Sequence, residues 1–288
     1  MRASSPTEGR LWLGIYTLAC GGSVALALLL ALARSVGALS WPPRATFDGS
    51  GWSTLFSSDG WWLTLAYSFA LTAITLCLAL ALALLLLIAL GPRLRRGWLA
   101  RALFLPLAVP PVVAALMGFV LLSDSGLLSR VSHAIGWTHM PAQFPSLVFD
   151  PAGRGIVLTH LAMTTPLFLL LFDRLSDHLR LPLLMSQATA LGATRRQAWL
   201  RVGLPLLLHQ ARAVIGVYGL ALLGAYELPL LLGASHPSML SVTIQRAVAG
   251  YDLAQQPFGY AMTASYLLLL LTGWAWYSLR LGRAAVRP

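Results

Sequence analysis

The residues that could do chemistry are few in this chain, and their types exclude more than they offer. Every cation is arginine; the sequence contains no lysine. A phosphate-binding loop needs a Lys to reach the terminal phosphates of a nucleotide, so a standard nucleotide-hydrolysis site is excluded, as is a Schiff-base lysine. His133, His139, His178, His209 and His236 are scattered without metal-ligand spacing. No Ser/His/Asp set, paired carboxylates or zinc motif stands at a credible spacing, so neither a catalytic residue nor a metal or other cofactor is expected. Cys20 and Cys77 both fall inside apolar runs and read as packing residues.

Three polar features remain. Glu227 stands at the end of a long apolar run beside Pro229. A carboxylate there either lines a solute pathway or sits near the interface, capped or paired with an Arg of another helix. His160 and Thr164 are one turn apart on a helix and share a face, which suits a pathway wall or helix packing. With Tyr226, these form the set of candidate pathway residues. The third feature is a polar interruption at 184–205, LMSQATALGATRRQAWLRVGLP, in which small residues lead to Arg195, Arg196 and Arg201 and stop at Pro205.

The elements that must position these residues span a membrane. The chain of 288 residues is 58% hydrophobic and 10% charged, against about 25% charge in a soluble domain. About six apolar runs can cross roughly 30 Å of hydrocarbon: 11–33, 61–90, 102–122, 155–172, 206–232 and 258–279. The first has Arg10 and Arg34 at its flanks and lacks a small-residue cleavage site, so it reads as a retained helix. The fold class expected is an all-α membrane protein. Residues 1–60 form an N-terminal spanning helix with its outer loop, 61–280 a core, and 281–288 a short tail.

Arginines divide unequally between alternate loops. One set holds Arg2, Arg10, Arg93, Arg95, Arg96, Arg101, Arg174, Arg180, Arg195, Arg196, Arg201, Arg212, Arg280, Arg283 and Arg287. The other holds Arg34, Arg44, Arg130, Arg154 and Arg246. The positive-inside rule puts both termini, and the 186–205 segment, in the cytoplasm. The net charge of +11 follows from this topology, so nucleic acid is not an expected partner. The outer loop 35–60 carries Trp41, Pro42, Pro43 and Trp52, and with Trp61 and Trp62 fits an interfacial aromatic belt. A second outer loop, 123–154, contains Trp137, Pro141, Pro145 and Pro151.

Within the polar segment, Ala188, Leu191, Ala198 and Trp199 suit helix, and Gly192 predicts two short helices with a bend. Pro205 is expected to restart the chain into the fifth span. The small residues allow a partner to approach closely, and Trp199 is an anchor of the kind found at interface hot spots.

On these residues the chain resembles the membrane-spanning permease subunits of binding-protein-dependent ABC importers. Their cytoplasmic signature is Glu-Ala-Ala, three residues, Gly, usually Ala, then an aromatic and a closing Leu-Pro. Here Ala188 matches the second Ala, Gly192 and Ala193 the Gly-Ala pair, Trp199 the aromatic, Val202 an aliphatic position, and Leu204 with Pro205 the closing pair. Ser186 stands for the family's Glu and Gln187 for its first Ala. These departures remove any ion pair or cap the Glu would make and leave the docking surface. Residues 102–131 and 224–257 are similar to further stretches of such permeases, so the resemblance covers about 61–279.

The resemblance implies a type I importer permease fold in the bacterial inner (cytoplasmic) membrane. It implies that Ser186, Gln187, Ala188, Gly192, Ala193, Trp199, Leu204 and Pro205 form a coupling element inserted into a separate ATPase subunit, which works as a dimer. It also implies a second permease chain, identical or related, and an external solute-binding protein that delivers a small polar solute. Permeases of this text group with polyamine, thiamine, phosphonate, sulfate and iron uptake, and Glu227 tilts the expectation toward a polyamine-like solute. A stand-alone secondary transporter or channel is the alternative. It is disfavoured by the lack of a visible repeat and of several intramembrane ionisable groups.

Overall fold

The computed structural model describes residues 6–38, 49–95, 97–140, 143–250 and 256–285. Arg2, Trp41, Pro42, Pro43, Arg44, Arg96, Pro141 and Arg287 lie outside them. Among the described residues there is no β-strand, as expected of Leu- and Ala-rich runs in hydrocarbon. There each backbone polar group must be satisfied internally, which a helix does within one segment. The helices are α1 (Pro6–Ser35), α2 (Ser50–Ser57), α3 (Asp59–Leu90), α4 (Gly97–Ala102), α5 (Leu105–Ala108), α6 (Pro111–Leu122), α7 (Leu127–Ala134), α8 (Arg154–His178), α9 (Leu181–Ala190), α10 (Arg195–Ala198), α11 (Leu204–Leu223), α12 (Glu227–Leu232), α13 (Leu240–Ala249) and α14 (Gln256–Ala285). Among the described residues six stretches are long and apolar enough to cross a membrane: Gly14–Ser35, Asp59–Leu90, Pro111–Ala134, Arg154–His178, Arg195–Leu223 and Gln256–Leu279.

The chain departs from the expected spans at prolines and at a glycine. The run 102–122 is not one helix: α5 ends at Ala108, Val109 is extended (φ −81°, ψ 121°) and Pro110 follows at φ −59°, ψ 145°. Pro110 forces its predecessor out of the helical region and brings no N–H, so the helix restarts at Pro111. The run 206–232 also divides, α11 closing at Gly224 before α12 begins at Glu227. Conversely, α8 extends past the expected end at residue 172, carrying the buried Asp173 with it.

The chain forms two compact units. One comprises residues 1–62 and 243–288, the other 63–242. In the first, α1 and α2 both pack on α14. A Cβ at Gly51 would lie 3.1 Å from the Pro257 carbonyl, so the small residue sets that approach. Arg34 donates to the Tyr260 hydroxyl with its guanidinium 5.1 Å from the ring centroid, and the Trp52 indole donates to Ser35 Oγ at 2.9 Å.

The second unit has two apolar clusters. Ala83 and Leu87 of α3, Phe168 and Phe172 of α8, Leu181 of α9 and Leu207 of α11 build one. Leu71, Ala115, Ile156, Leu228, Leu232 and Met239 build the other. Beside the second cluster the irregular backbone is tied down. The Phe149 N–H donates to the Leu232 carbonyl at 2.8 Å, and Asp150 forms an isolated bridge with Gly233. Asp150 is buried, accepts from the Arg154 backbone N–H at 3.2 Å, and holds the Arg154 guanidinium at 2.8 and 3.2 Å. It therefore caps α8 while making a two-pronged ion pair.

The Arg154 guanidinium holds the Asp150 carboxyl below its ordinary value. A depressed folded-state pKa means that the stabilisation is complete above the ordinary value of 3.8 and is lost as pH falls through the lower, folded one. Asp150→Asn is expected to lower the Tm of the purified protein at neutral pH, with the gap to wild type closing as pH falls through that range. Thermal unfolding followed over a pH series checks this. A gap unchanged from neutral pH to below the carboxylate range would refute the assignment.

Candidate functional site

The 181–205 segment folds as a bent helical pair. A turn through Arg180, at φ 49°, joins α8 to α9, and Pro182 occupies the first turn of α9, where its missing N–H costs nothing. α9 closes through two bonds: the Gly192 N–H donates to the Thr189 carbonyl at 3.0 Å and the Ala193 N–H to the Ala188 carbonyl at 3.1 Å. This crossed pair is a Schellman closure, which needs a left-handed residue at the position of Gly192. Gly192 adopts φ +90°, a region L side chains enter only with strain. The Ala188, Gly192 and Ala193 pattern is thus a stop signal built in backbone hydrogen bonds.

The chain then restarts on a reciprocal cap. The Thr194 N–H donates to Gln197 Oε1 at 2.9 Å, and the Gln197 N–H donates to Thr194 Oγ1 at 3.3 Å. Thr194 and Gln197 were missed among the site residues, although the text TRRQ carries the signal in its spacing. Pro205 stands in the first turn of α11, as expected, but no break precedes it. α10 runs through a π-helical turn, Trp199–Gly203, directly into α11, and the Leu204 N–H donates to the Trp199 carbonyl five residues back. Pro205 cannot donate and its ring crowds the carbonyl four residues before it; one widened turn absorbs both effects.

Side chains at the bend divide into outward and inward sets. Leu191, at the apex, is 90% exposed. Gln187, Gly192, Arg195 and Arg196 are also exposed, while Ala188 and Ala193 are half-buried. Trp199 turns inward: it packs with Leu204 against the cluster of Phe172, Leu181 and Leu207. A Cβ at Gly203 would meet the Trp199 ring at 2.7 Å, so the glycine makes room for it. Pro205 is exposed. Ser186 donates its hydroxyl to the Leu183 carbonyl at 2.8 Å, which satisfies it within its own helix. Ser186, Arg195 and Trp199 meet Leu87 of α3 and Asp173 and Asp177 of α8 around a groove of about 440 Å3.

The pathway candidates lie elsewhere. His160 and Thr164 share the buried face of α8. The Thr164 hydroxyl bonds the Tyr218 hydroxyl of α11 at 3.1 Å, and Phe168 meets Tyr218 edge-on at 5.5 Å. Tyr226 and Glu227 open α12, both half-buried. No hydrogen bond joins them to His160 or Thr164.

Two solved structures share the fold. One is a bacterial alginate ABC transporter in complex with an alginate pentasaccharide-bound periplasmic protein, with a TM-score of 0.63 and 16% identity over 94% of this chain and 91% of that one. The other is a bacterial ABC transporter involved in the import of the acidic polysaccharide alginate, with a TM-score of 0.60 and 17% identity over 96% of this chain and 100% of that one. No protein-family profile matches, and no curated protein sequence matches. The all-α architecture, with six membrane-capable helices among the described residues, is thus a fold shared with chains of bacterial ABC transporters.

Thr194→Ala removes one half of the reciprocal cap and is expected to cost about 1 kcal/mol, confined to the start of α10. Thr194→Ser keeps the oxygen and most of the stability. Amide hydrogen exchange at 195–198 reads the difference: exchange should rise in the Ala variant and stay near wild type in the Ser variant.

Proposed function

We propose that this chain is the transmembrane permease subunit of an ATP-driven importer in a bacterial cytoplasmic membrane, coupled to a separate ATPase dimer through residues 186–205. The observation that carries the reading is the bent pair α9–α10. It is closed by Gly192, recapped by Thr194 and tipped by an exposed Leu191, and it continues without a break into a spanning helix. An exposed leucine flanked by Arg195 and Arg196 suits a cleft with an apolar floor and acidic rim. The absence of Lys makes an outside source of ATP hydrolysis necessary. Trp199 contributes by fixing the bend to the core from inside, and Leu191 supplies the outward apolar contact.

In this reading both termini are cytoplasmic, a second permease chain completes the path, and an external binding protein delivers the solute. The likeness to transporters of an acidic polysaccharide gives no support to a polyamine-like cargo; the solute of this proposal is small and polar. Glu227, Tyr226, His160 and Thr164 are the pathway residues of the proposal.

Reconstitution tests it directly. Uptake into proteoliposomes should require the ATPase subunit and ATP; uptake by the permease chains without them would make the protein a stand-alone transporter. Leu191→Asp leaves the exposed bend folded and is expected to reduce ATPase copurification by tenfold or more, about 1.4 kcal/mol or above. An unchanged yield of complex with normal uptake would remove the bend from the interface.

A further inference from the structure

His160 and Thr72 present an unusual pair of atoms inside the second unit. His160 Nε2 and Thr72 Oγ1 are both fully buried, and neither has a hydrogen-bond partner. Both residues line the same small, partly open pocket, of about 10 Å3, between α3 and α8. Thr75, one turn further along α3 and also buried, adds its residue to the wall. Leu71, Ile156, Leu222 and Met239 supply the apolar part of the lining. A buried hydroxyl or imidazole nitrogen without a partner bears its whole desolvation penalty, and polar groups at this depth are retained where they find partners. The volume is that of about one water-sized sphere, and a buried water typically makes two to four hydrogen bonds.

We propose that this cavity is a binding site for a single water molecule that bridges α3 to α8 through Thr72 Oγ1 and His160 Nε2, beside Thr75. The imidazole nitrogen and the two hydroxyls supply the donor and acceptor set a water needs. The walls from the end of α11 and from the segment before α13 are the apolar Leu222 and Met239. The polar ties at this junction therefore run between α3 and α8 alone, and the neighbouring segments touch it by dispersion. Leu222 stands in the last turn before α11 stops at Gly224, so this break can shift without parting a hydrogen bond of the node.

The sign of one substitution tests the proposal. Thr72→Val keeps the shape of the side chain and removes its oxygen. With a bridging water, the variant loses a hydrogen bond, and the full chain in lipid nanodiscs should show a Tm lowered by about 2–4 °C, with Thr72→Ser close to wild type. With a dry cavity, the same change relieves an unpartnered hydroxyl, so a Tm equal to or above wild type would overturn the proposal. An experimental density map supplies the second reading. A peak within hydrogen-bonding distance of both Thr72 Oγ1 and His160 Nε2 supports the site; direct contact between these two atoms with no peak overturns it.

Discussion

The irregular backbone beside the second apolar cluster is governed by the cost of leaving an amide or carbonyl unpaired where water cannot reach, several kcal/mol for each group. The apolar runs obey the rule by forming helices. Where the fifth run breaks, other parts of the chain supply the missing partners. At the division of the fifth apolar run the Ala225 carbonyl accepts from the Ser241 hydroxyl, and the Leu240 N–H donates to Ser68 Oγ at 2.8 Å. The Phe149 N–H is spent on the Leu232 carbonyl at the end of α12. Each bond joins segments far apart in sequence, so the breaks act as the joints of the unit and not as gaps in it.

The same rule explains which parts of the architecture could be read from the sequence. Long runs such as 61–90 admit one solution, and α3 occupies almost those limits. The bend at Gly192 was legible because a left-handed Schellman position all but requires glycine. The cap at Thr194 was also legible, since its two partners stand three residues apart. The satisfaction of broken runs was not legible. Nothing local to Ser68 marks it as the acceptor for an amide 172 residues away, and nothing local to Gly224 marks it as a helix end while the apolar text continues to residue 232. Proline misled in both directions: Pro110 breaks its helix, whereas Pro205 is carried inside one by a π turn. The difference is a widened turn, and the turn depends on the fit of the Trp199 ring over Gly203.

Side-chain direction was likewise beyond a one-dimensional reading. Trp199 has the composition of an interface anchor, yet its place one turn before Gly203 and against Phe172 and Leu181 turns it toward the core. Leu191, with no special mark in the sequence, is left exposed because the chain bends at Gly192 immediately after it. Asp173 enters the buried set because α8 continues beyond the last apolar residue of its run.

These placements have a mechanical consequence for the proposed coupling. The stretch from Arg195 to Leu223 is one continuous helical rod of 29 residues, about 40 Å long at roughly 1.5 Å per residue. A force applied at the bend enters this rod at its end, where Trp199 and Leu204 grip the cluster formed by α3, α8 and α9. A hinge at Pro205 would dissipate such a force in local bending; a π turn keeps the rod intact and shifts its axis. The rod stops at Gly224, where the next segment is held by side-chain hydrogen bonds and apolar packing. Displacement at the bend is therefore delivered to the Gly224–Glu227 joint. That joint adjoins Tyr226 and Glu227, which places these two of the proposed pathway residues at the far end of the lever, while Thr164 meets it along its length through the Tyr218 hydroxyl.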